Sequence, residues 1–215
     1  MGAKTDKIKA VSRIQITSTQ PPFDTPAIAA RAARLLACAD AMGLLADLAI
    51  NRLDLPLLRT VVDRLAAAGI GQEMQAALAV PRTVPDLNTL LSRLNQALAE
   101  SPAPAYEWAA LSALFDSESL AALLGVSSAS LHRYRAGVRK TPDRVADRLH
   151  FLALLVGELA GAYNEIGIRR WFYRPRQLLA GATPADLLQG DWSPAEPGPQ
   201  RVRALAESLN GAGAT

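Results

Sequence analysis

The chain has 215 residues, 50% of them hydrophobic, and a formal net charge of +3, which excludes a disordered protein and allows one large or two small domains. Aromatic residues make up only 5% and Ala and Leu dominate, so we predict an all-α fold. The single cysteine, Cys38, excludes an intramolecular disulfide. The lack of a secretory signal favours the cytoplasm, and no apolar stretch is long enough to predict a membrane span.

The N-terminal stretch is basic and ends in two prolines. Residues 1–22 carry Lys4, Lys7, Lys9 and Arg13 against Asp6. A flexible basic arm is the first interpretation, and a short strand from Val11 to Ile16 is the alternative.

Residues 23–100 predict a helical N-terminal domain of unknown role. A first helix follows Pro26, and helical composition extends from Ala27 to Arg52, with Gly43 either interrupting or ending the helix. Two more helices are predicted at 55–68 and 72–80. The fourth begins at Asp86 and carries leucines at helical spacing: Leu87, Leu90, Leu91, Leu94 and Leu98. This stripe indicates either a buried core face or a self-association seam. Ser101 to Pro104 has the composition of a linker.

Residues 105–150 predict a helix-turn-helix DNA-binding domain, with 106–115 as its supporting helix. Two short helices lie between Ser117 and Gly137 and turn at Gly125, where a residue without a Cβ tolerates positive φ. The positions expected to be buried are all apolar or aromatic: Leu120, Ala121, Leu124, Val126, Leu131 and Tyr134.

The outward positions of the second helix predict contact with DNA, because short hydrogen-bonding side chains and long cations there suit the major groove. The candidate DNA-binding residues are Ser127, Ser128, Ala129, His132, Arg133, Arg135, Arg139 and Lys140. From Ser128 to Arg148 six cations, including Arg144 and Arg148, face only Asp143 and Asp147. Such a cluster favours double-stranded DNA over the alternative, an ordinary helical hairpin.

Another helix follows Thr141-Pro142-Asp143 and is predicted to extend to about Ile166. Its second half is almost wholly apolar, so this helix must be buried on nearly every side or dimerise. Residues 151–215 then form a small helical C-terminal domain, with short segments at 177–180 and 185–188 and a last helix at 199–209.

The C-terminal part resembles the toxin-binding domain of the Xre/MbcA/ParS antitoxins. The resemblance covers residues 117–212 and rests on the helix-turn-helix, the aromatic pair Trp171 and Phe172, the Pro-x-x-Leu-x-x-Gly-x-Thr-Pro run from Pro175 to Pro184, and a terminal helix. It implies an antitoxin that neutralises a RES-type, NAD-degrading toxin and represses its own operon as a homo-oligomer. The proline-rich stretch 191–199 departs from the family pattern.

The candidate residues for binding the toxin are Arg169, Arg170, Trp171, Arg174, Asn210 and Gly211. The resemblance places the last two at the toxin's active-site entrance. The arginines, together with Arg176, engage either an acidic toxin surface or phosphates; alternatively, they surround a helix C-terminus near Ile166, where the dipole favours cations.

The sequence favours a binding protein over an enzyme. His132 and His150 have no neighbouring carboxylate or cysteine at metal-ligand spacing, and no glycine-rich phosphate loop follows a strand. We therefore expect no cofactor, no metal and no catalytic residue. The alternatives to an antitoxin are a stand-alone or prophage-type regulator and an oligomeric interaction scaffold.

Overall fold

The structure is a computed structural model that describes residues 14–78 and 83–211, with the backbone alone at 77, 210 and 211. Its described part is mostly helical, with one small sheet. The elements are β1 (Ile14–Thr19), α1 (Pro26–Ala41), β2 (Ile50–Leu53), α2 (Leu55–Ala67), α3 (Glu73–Ala77), α4 (Val84–Ala99), α5 (Pro104–Leu114), α6 (Ser117–Leu124), α7 (Ser128–Arg135), α8 (Asp143–Ala160), α9 (Glu165–Phe172), a 3₁₀ turn (Gln177–Leu179), α10 (Pro184–Leu187) and α11 (Pro197–Gly211).

Helix α8 lies at the centre of the fold. Helices α1, α5 and α11 all pack against it, and its residues from Leu149 to Leu159 are buried apart from a half-buried Leu154. Gly157 allows the closest approach, because a Cβ there would lie 2.7 Å from Cα of Cys38 in α1. The apolar half of α8 is thus covered within one chain, as one of the two sequence interpretations required.

The leucine stripe of α4 belongs to the same core. All five leucines are buried, and α4 packs against α1. Thr83 and Asp86 form a capping box at the start of the helix, which fixes where the stripe begins. The core interpretation of the stripe is confirmed, and the leucines are not available as a self-association seam.

The segment before α2 differs from the predicted long helix. Helix α1 ends at Ala41, and Gly43 follows with φ of +83°, where a Cβ would lie 2.8 Å from the carbonyl oxygen of Tyr106. The helix thus ends next to Gly43, which was one of the two alternatives. The chain then turns and forms β2, so the helical interpretation of the residues up to Arg52 is wrong.

Strand β2 pairs in parallel with β1. The N-terminal segment is therefore ordered from Ile14 onward, which corrects the flexible arm and moves the alternative strand toward the C-terminus. Residues 1–13 of the predicted arm lie outside the described part, as does the end of the predicted third helix at 79–80.

Helix α8 also ends earlier than predicted. It stops at Ala160, and α9 begins at Glu165 after Asn164, whose side chain accepts a hydrogen bond from the backbone of Gly167. This capping amide starts a new helix where we expected the old one to continue.

The buried apolar residues from Phe23 to Ala206 form one contiguous cluster. The division at 23–100, 105–150 and 151–215 stays a prediction. None of the helices in the described ranges combines the length and apolar character needed to cross a membrane.

Candidate nucleic-acid interface

Helices α6 and α7 each begin at a side-chain cap and are joined by a short turn. The Asp116 carboxylate accepts a hydrogen bond from the Ser119 backbone at 2.8 Å, and this bond holds the pKa of Asp116 below its ordinary value. Gly125 ends α6 with φ of +64°, and Ser127 caps α7 by accepting from the Ser130 backbone at 3.2 Å. The turn that we predicted at Gly125 is present, and Ser127 caps the helix that follows it.

The inner face of α7 packs on α6 and, through Tyr134, on α5. Leu131 and Tyr134 are buried, and the Tyr134 ring stacks on Trp108 with centroids 6.2 Å apart. Trp108 also donates from Nε1 to the Thr141 hydroxyl at 3.0 Å, which anchors the chain after α7. Helix α5 therefore supports α7 from below and fixes which side of it faces outward.

The outer face of α7 and the turn after it carry the candidate DNA-binding residues. All of them are exposed: Ser127, Ser128, Ala129, His132, Arg133, Arg135, Arg139 and Lys140. Within the described ranges none of their cations forms an ion pair with a carboxylate. Arg139 lies over the Tyr134 ring, 5.7 Å from its centroid. We call this surface the α7 face.

Arg148 does not belong to the α7 face, although we had counted it in the basic cluster. Its side chain is 1% exposed and donates to the carbonyl oxygens of Leu124, Gly190 and Trp192. It also pairs with Asp191, as does the exposed Arg144 at 2.7 Å. The cationic surface is therefore smaller than the sequence indicated, because two of its six cations face a carboxylate from the C-terminal part.

Residues 190–192, which we call the clamp, hold the turn between α6 and α7. Trp192 donates from Nε1 to the carbonyl of Leu123 at 2.9 Å, while Arg148 donates to that of Leu124 at 3.0 Å. The last carbonyls of α6, which have no partner within the helix, are satisfied in this way. A Cβ on Gly125 would lie 1.9 Å from the carbonyl oxygen of Gly190.

The clamp lies in the proline-rich stretch that departs from the family pattern, and we did not predict its role. Its two signals in the sequence were Trp192 in that stretch and Arg148, which directly precedes the apolar half of α8.

Helix α9 and the residues directly after it present a second set of cations. Arg170 and Arg174 are exposed, whereas Arg169 donates to the carbonyl of Leu114 at the end of α5, 3.0 Å away. Together with Phe115, Asp116, Ser119 and Tyr173 they line an open depression of about 460 Å³.

Two expectations about this region need correction. Trp171 is 1% exposed and packs edge-on against Phe172, so it is a core residue and presents no surface to a partner. The helical spacing of Ile168, Trp171 and Phe172 turns this side of α9 inward. Ile166 lies at a helix start, so the arginines do not surround a C-terminus there; Arg169 and Arg170 lie in the last turn of α9 itself. The side chains of Asn210 and Gly211 lie outside the described part.

Cys38 and His150 are both buried. Burial raises the pKa of the Cys38 thiol to about 12. His150 lies between the Glu107 carboxylate, 2.7 Å from Nδ1, and the Ala99 carbonyl, 3.0 Å from Nε2. Because both ring nitrogens face acceptors, one proton must lie in the Glu107–His150 contact. We had not expected a carboxylate beside His150, and this pair joins α5 to α8. Among the described residues no group of three or more His, Cys, Asp or Glu side chains is arranged to hold a metal.

No protein-family model matches this chain, and neither the curated proteins nor the solved structures compared with it gave a match. The function must therefore be argued from the geometry of the α7 face and the clamp.

Proposed function

We propose that the protein binds double-stranded DNA in a sequence-specific manner, with α7 in the major groove, and represses its own operon. The observation that carries this proposal is the α7 face, on which Arg133, Arg135, Arg139 and Lys140 are exposed with no carboxylate partner in the described residues.

The distribution of residue types along α7 supports the proposal. The serines at its start are short donors and acceptors suited to base edges or the nearest phosphates, and His132 and Arg133 follow one turn later. Arg139 and Lys140 lie beyond the helix, where cations contact the backbone in helix-turn-helix complexes. We assign Arg133 to base recognition and Arg139 to phosphate contact.

The toxin-binding part of the proposal rests on the family resemblance, together with the exposed Arg170 of α9 and the exposed Tyr173 and Arg174 directly after this helix. In this proposal the protein is a non-catalytic cytoplasmic antitoxin that forms homo-oligomers. Its α9 surface and the end of α11 bind a RES-type toxin. The α7 face would remain free for DNA when the toxin is bound. It follows the C-terminal end of α6, whereas α9 lies near the N-terminal end of α6.

Fluorescence anisotropy tests DNA binding. The full chain is titrated into a labelled duplex from upstream of its gene and into a duplex of the same composition in scrambled order. We expect the upstream duplex to bind at least about 10³-fold more tightly. Equal affinity for both duplexes, or no binding to either, would contradict the proposal.

Expression beside the neighbouring gene tests the toxin part. Co-purification of a RES-domain protein, with preserved cellular NAD, supports the antitoxin. Selective DNA binding without any such partner would leave a stand-alone regulator.

A further inference from the structure

Strand β1 has an edge to which no other strand is paired. The sheet in the described part of the chain consists of β1 and β2 alone. Apart from this ladder, residues 15–19 form no backbone–backbone hydrogen bond with another described residue. Because backbone N–H and C=O groups are strong hydrogen-bonding groups, such an edge is a template for a further strand.

The ladder with β2 also leaves part of β1 incompletely paired. The register shifts between Ile14 and Ser18, so residues 15–17 lie opposite Asn51 alone. The Asn51 carbonyl accepts a hydrogen bond from the Thr17 hydroxyl at 3.0 Å. The extra residues of a bulge have no counterpart on the neighbouring strand. The backbone groups that need another partner are therefore concentrated around Ile16.

The sequence of β1 does not protect this edge. Natural edge strands are often protected by charged side chains, especially lysine, or by proline. The sequence Ile-Gln-Ile-Thr-Ser-Thr contains neither, and its isoleucine and threonine residues favour strands. The exposed side chains, Gln15, Thr17, Ser18 and Thr19, are polar but uncharged. A second β1 strand beside this edge would therefore meet no like charge.

The N-terminal segment of the same chain is poorly suited to cover this edge. To lie antiparallel to β1 it would have to reverse direction within residues 7–13. This stretch contains no Gly, Pro, Asn or Asp, although these residue types form the tight turns of hairpins. A strand from another molecule needs no such turn.

The helical surfaces that the sequence offered for self-association are already used. The leucines of α4 and the apolar half of α8 are buried within one chain. The β1 edge remains available in the described part, and an identical strand can complete it, because two copies of one strand pair antiparallel around a two-fold axis.

We propose that two copies of the chain form a dimer in which their β1 strands pair antiparallel, with the two-fold axis at Ile16. The four strands then form one sheet in the order β2–β1–β1–β2. The two Ile16 side chains lie opposite each other, and Gln15 of each copy lies opposite Thr17 of the other. Ile16 packs half-buried against the core, and this pairing covers its remaining exposed surface.

The dimer specifies the contact behind the homo-oligomer of the proposed function, and it rests on that part of the proposal. It does not depend on DNA or toxin binding. A two-fold dimer presents two α7 faces, as a palindromic operator requires.

Sedimentation equilibrium of the full chain tests the dimer with two variants at the same exposed positions. Gln15→Lys/Thr17→Lys places like charges opposite each other across the two-fold axis, whereas Gln15→Lys/Thr17→Glu places opposite charges there. Both variants lose the Thr17 hydroxyl bond to Asn51, so they are matched in this respect. We expect a dimeric wild type, a dissociation constant at least about tenfold higher in the first variant, and one close to that of the wild type in the second.

Hydrogen exchange of the wild type provides a second measurement that needs no substitution. The peptide covering β1 should exchange more slowly at high protein concentration than at low concentration. Protection independent of concentration would show that the chain covers this edge itself and would overturn the proposal.

The outcomes distinguish this contact from the rest of the proposed function. A monomeric wild type at all concentrations would overturn both the contact and the proposed homo-oligomer. Equal dissociation constants in the two variants would overturn the contact alone, since the oligomer would then use another surface. Failure of DNA binding would appear only in the anisotropy titration.

Discussion

Arg133 and Arg148 lie 15 positions apart in the sequence, and the structure gives them opposite surroundings. Arg133 is exposed on α7, while Arg148 is enclosed by three backbone carbonyls, the Asp191 carboxylate and the Trp192 ring. The first is available to a partner, and the second fixes the turn that positions the first. A basic cluster in a sequence therefore combines cations that recognise and cations that support, and only the tertiary contacts separate them.

Among the residues that hold the α6–α7 turn, we expect substitution of Gly125 to lower stability most. An alanine there would have to adopt positive φ, and its Cβ would collide with the carbonyl of Gly190. We expect Gly125→Ala to lower the free energy of unfolding by about 3 kcal/mol or more, measured by urea denaturation.

Gly137 provides the matched control for Gly125. It also has positive φ, at +68°, but a Cβ there would meet nothing within 4 Å. Gly137→Ala should cost only the backbone strain, about 1 kcal/mol. Equal losses in the two variants would show that the clamp does not restrict Gly125.

Arg148 should be the next most sensitive position. Arg148→Met keeps the length and apolar stem of the side chain but leaves the buried carbonyls without their donor, so we expect a loss of about 2–4 kcal/mol in urea denaturation. Arg144→Met removes an exposed arginine that also pairs with Asp191, and should cost less than about 1 kcal/mol. If the two costs were similar, Arg148 would be an ordinary surface cation.

Substitution of Asp191 should have the smallest effect on stability, and this effect should appear in the pH dependence of unfolding. Hydrogen bonding from Arg148 and the charge of Arg144 hold the pKa of Asp191 below its ordinary value of 3.8. The stability that this charge contributes is therefore present above pH 3.8 and lost as the pH falls through the lower, folded-state pKa.

In Asp191→Asn this acid-dependent loss should be reduced, as measured by thermal unfolding between neutral pH and pH 2. The control is Asp147→Asn, which removes an exposed carboxylate of α8 that makes no ion pair in the described part. An unchanged acid profile in Asp191→Asn would contradict the pairing with Arg148.

Local signals in the sequence were sufficient for several elements. Proline near the start of α1, α2 and α4, the leucine spacing of α4, and the glycine and serine around the α6–α7 turn each act within a few residues. For that reason the two short helices α6 and α7, the turn between them and the exposed residues of α7 could be predicted from the sequence.

The predictions failed where the local structure depends on contacts between segments that are far apart in the sequence. Strand β2 is a short segment that pairs with β1 about 35 residues earlier, and the clamp depends on Asp191 and Trp192 meeting α6 and α8. The family resemblance placed Trp171 on a partner surface, although its helical spacing with Ile168 and Phe172 is the local pattern of a buried helix side.

The central claim is that the α7 face docks into duplex DNA, and anisotropy of the Arg133→Ala variant on the upstream duplex tests it most directly. Arg201, an exposed arginine of α11 that donates to the Leu178 carbonyl, provides the matched control for the loss of one positive charge. The proposal predicts that Arg133→Ala weakens binding by about 10- to 100-fold and reduces selectivity over the scrambled duplex, while Arg201→Ala binds as the wild type does. Unchanged binding of Arg133→Ala, or an equal loss in both variants, would contradict it.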